Sequence, residues 1–295
     1  MNILDPGEPR ALFERLFGDL RPKLHRYCAR MTGSVIDGED VLQEALAKAF
    51  EALPGAEPIA NPEGWLFRIA HNTALDFLRR RSRERTFADQ DPDMIVDPAN
   101  PTIDRQAAAA GLHTFMRLPV AQRSSVIMMD VLGYSLREIS TTLDTSIPAI
   151  KAALHRGRDR LRQIADEPDD RPLPRLSAAE RLLLDAYIDR FNARDFDAVR
   201  EMLAEEVRLE LVARTWLNGR REVGTYFGNY SRVQDWHLVP GFAENRAAIL
   251  VRDPNDPTGR PTYFILLTWQ DGKLAAIRDF RHARYITESA RLYSL

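Results

Sequence analysis

Two acidic, proline-bearing stretches limit how this 295-residue chain can fold more than any other feature. Residues 86–102 read "TFADQDPDMIVDPANPT", with three prolines, four aspartates and no helical period. Residues 165–175 read "ADEPDDRPLPR", with three more prolines and an acidic run. Proline removes a backbone donor, and clustered like charges resist compaction, so both stretches read as extended linkers. The expected organisation is a helical domain over 1–85, a linker over 86–105, a second helical domain over 106–165, a linker over 166–176 and a mixed domain over 177–295. The expected fold class is multidomain: two all-α domains followed by an α+β domain.

The net charge of −2 conceals a local bias. Residues 106–165 hold eight bases against four acids, whereas 86–105 hold one base against five acids. The cationic excess gathers in "SLREISTTLDTSIPAIKAALHRGRDRL" (135–161). Gly133 suits the end of the preceding helix, and Ser135 with Glu138 has the spacing of a capping box. Leu136, Ile139 and Leu143 then face inward on a short helix. Asp144 falls where a tight turn asks for a left-handed residue, which aspartate tolerates. Ser146 can cap the next helix, with Pro148 acceptable in its first turn. Ile147, Ile150, Leu154 and Leu161 line that helix's expected buried side, leaving Lys151, His155, Arg156, Arg158 and Arg162 on other faces. Helix, tight turn and cationic helix make a helix-turn-helix, whose second helix fits the major groove.

The first domain carries two more faces. In "DGEDVLQEALAKAFEAL", Val41, Leu42, Ala45, Ala49 and Leu53 form one stripe, while Asp37, Glu39, Asp40, Gln43 and Glu44 project elsewhere. In "NPEGWLFRIAHNTALDFLRRRSRER", Leu66, Ile69, Ala70, Thr73 and Phe77 recur at helical spacing, and five arginines follow between Arg79 and Arg85. Cations at a helix C-terminus suit the macrodipole as readily as they suit DNA.

Several classes lose support. No apolar run approaches the roughly 18 residues of a membrane span. The N-terminus lacks the cationic and apolar segments of a signal peptide, so a cytoplasmic location is expected. The one cysteine, Cys28, permits no internal disulfide and no zinc set, and the six histidines show no ligating pattern, so no metal or cofactor is expected.

With both helical segments read, residues 10–165 resemble an RNA polymerase sigma factor of the extracytoplasmic function (ECF) type, in the sigma-70 family. "DGEDVLQEALAKAF" resembles the family's region 2.2, "NPEGWLFRIAHNTALDFLRRR" its regions 2.3 and 2.4, and "LPVAQRSSVIMMDVLGYSLREISTTLDTSIPAIKAALHRGRDRLR" its region 4. The resemblance implies core RNA polymerase as partner, through the β′ clamp helices and the β flap, and promoter DNA. Asp37, Glu39, Asp40, Gln43 and Glu44 would meet the clamp. Asn72, Asp76, Arg79, Arg80 and Arg81 would meet the minus-ten element, with 57–64 as the loop that captures an unstacked base. Ser146, Pro148, Lys151, Ala152, His155 and Arg156 would meet the minus-thirty-five element. Two departures stand out: Ala152 and Ala153 replace a hydroxyl and an arginine that the family often has, and Gly38 replaces an alanine, which would weaken its helix.

Residues 177–295 lie beyond a minimal ECF factor. "EEVRLELV", "AAILVR" and "PTYFILLTWQDGKLAAIRDFRHARYI" read as strands, with Asp271-Gly272 as a hairpin turn. "LSAAERLLLDAYIDRFNARDFDAVREML" and "NGRREVGTYFGNY" read as helices. The order resembles the SnoaL-like cone fold, whose relatives include isomerases and cyclases. That resemblance makes Trp216, Tyr226, His237, Asp279 and Arg281 candidate lining residues for a small ligand not identified from sequence. Strand register decides whether Asp279 or Arg278 points inward. A subgroup of ECF factors, the SigJ-like ones, carries such a domain, although its usual W-L-P-E-P linker motif and D-G-G-G-R motif are absent here. The expected function is promoter-directed initiation by a non-enzymatic sigma factor with a regulatory C-terminal domain. The alternatives are a ligand-responsive helix-turn-helix regulator independent of polymerase, and a SnoaL-like isomerase or cyclase with a DNA-binding appendage.

Overall fold

The computed structural model describes residues 9–53, 59–86, 111–165 and 175–295. The chain divides into two compact units, Met1–Asp169 and Asp170–Leu295. Both linkers, and Glu57 and Pro58 of the expected base-capturing loop, fall wholly or mostly outside the described residues.

The first unit is helical. Its elements are α1 (Pro9–Thr32), α2 (Val35–Ala52), α3 (Pro62–Thr86), α4 (Leu112–Met116), α5 (Val120–Val126), α6 (Leu136–Leu143) and α7 (Ile147–Ala165). A π-helical turn at Ile127–Val131 extends α5. Ser34 caps α2 by accepting from the Asp37 amide. Gly38 is required rather than merely tolerated: a Cβ there would lie 2.5 Å from Ala29 Cα. The expected cost of glycine in α2 is therefore outweighed by the close approach of α1 that it permits.

The two helical segments, read from the sequence as separate domains, share one core. Leu24, Tyr27 and Met31 of α1 and Phe67 and Ala70 of α3 belong to the same buried cluster as Phe115, Val126, Ile139, Ile150 and Leu154. Apolar surface that a 50-residue helical segment cannot cover alone is buried against its neighbour.

The second unit is α+β. Helices α8 (Ala178–Asn192), α9 (Phe196–Glu201) and α10 (Arg220–Tyr230) accompany strands β1 (Leu203–Leu211), β2 (Thr215–Asn218), β3 (His237–Ala243), β4 (Arg246–Arg252), β5 (Pro261–Gln270), β6 (Lys273–Asp279) and β7 (Leu292–Ser294). The strand expected to run on through "RHARYI" instead stops at Asp279, and Arg284–Thr287 form a short helix, α11. The seven-stranded sheet has the order β2-β1-β6-β5-β4-β3-β7. The β1–β6 pair is parallel and the other pairs are antiparallel. Asp271 and Gly272 both take positive φ at the β5–β6 turn, as expected. One sheet face packs Leu209, Ile265 and Ile277 against Tyr187, Phe191 and Phe227 of the helices.

Candidate promoter and polymerase surfaces

The corner over 135–147 forms as its residue chemistry demands. Ser135 accepts from the Glu138 amide, and the Glu138 carboxylate accepts from the Ser135 amide at 2.8 Å. Asp144 sits at φ 51°, in the left-handed region. On α7, Ser146, Pro148, Lys151, His155 and Arg156 are exposed and Ala152 is half-buried. Ile147 is also exposed, contrary to its expected place on the buried side. Ala153 is buried, as is Gly157, where a Cβ would lie 2.8 Å from Val126 Cγ2. The cations divide. Arg158 makes a bidentate pair with the fully buried carboxylate of Asp130 at 2.5 and 2.9 Å, and Arg162 pairs with Asp159. Arg158 ties α7 to the π-helical turn and Arg162 pairs along α7 itself, while Lys151 and Arg156 lie at the surface.

The acidic face of α2 divides in the same way. Asp37 and Glu39 are buried, against expectation. Asp37 takes a 2.7 Å bond from Arg81, and Glu39 pairs with Arg21. A buried carboxylate needs such a partner, so both are built into the packing of α1, α2 and α3. Asp40 is exposed, with Gln43 and Glu44 half-buried beside it. Phe50 lies 48% exposed further along α2, and the sequence reading missed it. An apolar residue on an otherwise polar stripe was the available signal. Arg80 bonds Glu44 at 2.8 Å, and Arg79 lies 3.4 Å from Asp76. These pairs are solvent-exposed and cost little to exchange for another anion. Asn72 is exposed on the same helix.

In the second unit, strand register settles the open question about Asp279. It pairs with Ile265 and Leu211 and shares their core-facing side, while Arg278 faces the other way and bonds Glu210 at 2.6 Å. Asp279 is fully buried. Its Oδ2 accepts from Tyr226 at 2.5 Å and Tyr230 at 2.7 Å, and its Oδ1 accepts from the Arg281 amide at 2.8 Å. Tyr230 meets Tyr263 at 3.0 Å, Arg281 donates to Tyr263 at 3.1 Å, and Arg281 pairs with Asp235 at 2.7 Å. Burial raises the Asp279 carboxyl above its ordinary value, with the tyrosine bonds and Arg281 opposing. Burial likewise raises the phenols of Tyr226 and Tyr230.

Two expected lining residues are elsewhere. Trp216 is 56% exposed on edge strand β2, opposite Glu210 and therefore on the other sheet face from Asp279. His237 is exposed at the start of β3, where its neighbour Trp236 takes the inward position. The tyrosines at 230 and 263 were missed. Their signal was the i,i+4 spacing of Tyr226 and Tyr230, which places both on one face of α10.

Comparison with known proteins decides what these surfaces belong to. The Sigma-70 region 2 model matches residues 16–84, and the Sigma-70 region 4 model matches 112–161. The ECF RNA polymerase sigma factor SigM of Mycobacterium tuberculosis is 31% identical over 155 residues, covering 52% of this chain and 78% of SigM.

The chain belongs to the ECF sigma factors.

SigG of the same species, also an ECF sigma factor, is 31% identical over 232 residues, 70% of this chain and 63% of SigG. The chain thus spans less than two thirds of SigG's length. The crystal structure of M. tuberculosis SigJ covers 90% of this ECF chain and 95% of its own, at 20% identity and a TM-score of 0.35. Among the described residues of this ECF factor, no helix is long and apolar enough to cross a membrane, and no group of residues is arranged to hold a metal ion.

Proposed function

We propose that this ECF factor binds core RNA polymerase and directs it to two-element promoters, and that residues 177–295 regulate that activity without catalysing a reaction. The observation that supports this most is the division of charges on α2, α3 and α7. Each helix commits some ions to packing and keeps a short exposed row beside them.

On α2 the row is Asp40, Gln43, Glu44 and Phe50. Their spacing places them along one helical stripe, a mixed acidic and apolar surface suited to the β′ clamp helices. Asp37 and Glu39 support that stripe from below and do not touch polymerase. On α3 the row is Asn72, Asp76, Arg79 and Arg80, facing the minus-ten element. Arg81 serves through Asp37 instead. On α7 the row is Ser146, Pro148, Lys151, Ala152, His155 and Arg156, facing the minus-thirty-five element. Phosphates reward Lys151 and Arg156 through counterion release, whereas Ala152 offers only apolar contact to a base such as thymine.

The C-terminal unit carries the SnoaL-like assignment by its element order and its "GKLAAIRDF" ending. Both carboxylate oxygens of Asp279 are already engaged within the chain. That arrangement favours a regulatory or ligand-sensing role over general acid–base catalysis, which needs a carboxylate facing its substrate. The test is binding of fluorescently labelled core polymerase, with Asp40→Arg as the disrupting variant and Glu206→Arg, on the second unit, as the control. The reading predicts at least tenfold weaker binding for the first and no change for the second. Equal affinity for both would refute the α2 surface. Truncation after Ala165 should change run-off transcription on the same promoter.

A further inference from the structure

The helix assigned to the minus-thirty-five element changes character along its length. Its exposed side falls into two columns of residues four apart, Ile147–Lys151–His155 and Pro148–Ala152–Arg156. Both columns begin with hydrocarbon. Ile147 is 36% exposed, Pro148 is exposed, and Ala152 is half-buried one turn further on. Lys151 and Arg156, both exposed, follow. No asparagine, glutamine or arginine stands between Thr145 and His155. Of the side chains that give a purine two hydrogen bonds, this stretch holds Lys151 alone.

The fold fixes the pose of this end of α7. The Ser140 hydroxyl donates to the Thr145 carbonyl at 2.6 Å, Asp144 turns the chain at φ 51°, and the Ser146 hydroxyl accepts from the Ala149 amide at 3.4 Å. Ile150, Leu154 and Leu161 join the core on the other side of the helix, and Ile147 does not. A helix-turn-helix meets base edges with the N-terminal residues of its second helix. Here that end offers methyl and methylene groups. In the major groove, the base group that matches them is the C5-methyl of thymine.

We propose that α7 reads the minus-thirty-five element through thymine methyls, with Ile147 as a further specificity-determining residue beside Pro148 and Ala152. The short side chain of Ala152 lets the helix come near the groove floor, and Lys151 and Arg156 fix its position through phosphates. The proposal rests on the sigma-factor reading above and adds to it the kind of base pair that is read.

Deoxyuridine differs from thymidine only in lacking that methyl, and it keeps the base pair. A promoter whose start site depends on the protein in run-off transcription is remade with each minus-thirty-five thymine, on either strand, replaced by deoxyuridine. Binding of core polymerase carrying the full chain is measured on each duplex. The proposal predicts at least two positions where deoxyuridine weakens binding about fourfold, the worth of one buried methyl, and no effect of deoxyuridine in the spacer. Ile147→Ser, at an exposed position, should abolish the loss at one of these positions and keep it at the other. Ala152→Asn should exchange a preference for thymine at one position for adenine, which asparagine bonds twice. Deoxyuridine tolerated throughout the element of an active promoter would overturn the proposal and leave the sigma-factor reading standing. So would an element of G·C pairs alone, losses that persist unchanged in Ile147→Ser, or a preference unaltered by Ala152→Asn. If no start site depends on the protein, the sigma-factor reading fails and this proposal falls with it.

Discussion

Each unit contains a carboxylate that accepts a hydrogen bond from tyrosine, and the two behave oppositely. Glu63 sits near the surface of the helical unit, bonded by Lys23 at 2.6 Å and by Tyr134. Burial works to raise its carboxyl, but the bonds from Lys23 and Tyr134 outweigh it and hold the group below its ordinary range. Asp279 lies at the bottom of the α+β unit with no ammonium beside its oxygens, and burial wins, raising its carboxyl. Similar partners with different solvent access reverse the direction of the shift. The contrast separates a carboxylate that keeps solvent access beside an ammonium from one fixed in a core.

The largest expected effect is at the buried node. Asp279→Ala takes the acceptor from Tyr226 and Tyr230 in the core, leaving only Tyr230 a second partner in the Tyr263 hydroxyl, and should destabilise the second unit by about 3 kcal/mol. Urea unfolding followed by near-ultraviolet circular dichroism measures this, and a loss under about 1 kcal/mol would erase the contrast. Next is Gly38→Ala, which forces a methyl into the α1 backbone and should cost about 2 kcal/mol. A neutral or stabilising result there would restore the view that glycine is a weakness in α2. Tyr134→Phe keeps the ring on Phe67 and loses only the hydroxyl bond to Glu63, so it should cost about 1 kcal/mol or less.

The pH dependence sharpens the comparison further, because its sign differs between the nodes. Glu63 has a depressed folded-state value, so its contribution is present above the unfolded value, about 4.3, and is lost as pH falls through the folded one. Asp279 has a raised value, so its contribution is full below the unfolded value, about 3.9, and is lost as pH rises through the folded one. Titrating the urea midpoint should therefore show that Glu63→Gln removes a loss of stability on acidification, while Asp279→Asn removes a gain. Slopes of the same sign would break the comparison.

Much of this was legible in the chain. The corner over 135–147 was readable because a capping box, a left-handed aspartate and a capping serine are local rules that tertiary packing seldom overrides. The Asp271-Gly272 turn was readable for the same reason. Strands β2, β3 and β7 were not, because β2 and β7 are short and β3 carries Pro240 and Gly241, which argue against a strand. The site was half legible. Sequence gave residue types at helical spacing, and that sufficed to mark α2 and α7 as charged helices. It could not tell that Asp37 and Glu39 are buried against Arg81 and Arg21 and that Arg158 is held by Asp130, while Asp40, Lys151 and Arg156 are solvent-exposed. That division depends on which helix crosses which, a non-local fact. The inward turn of Asp279 depended on a one-residue register that no local pattern fixes.

The most direct measurement is run-off transcription by purified core polymerase with the full chain on a library of bacterial genomic fragments. The account predicts discrete start sites that depend on the added protein, that share two elements roughly 25 base pairs apart, and that disappear with Asp40→Arg. Transcription indistinguishable from that of core polymerase alone would contradict it.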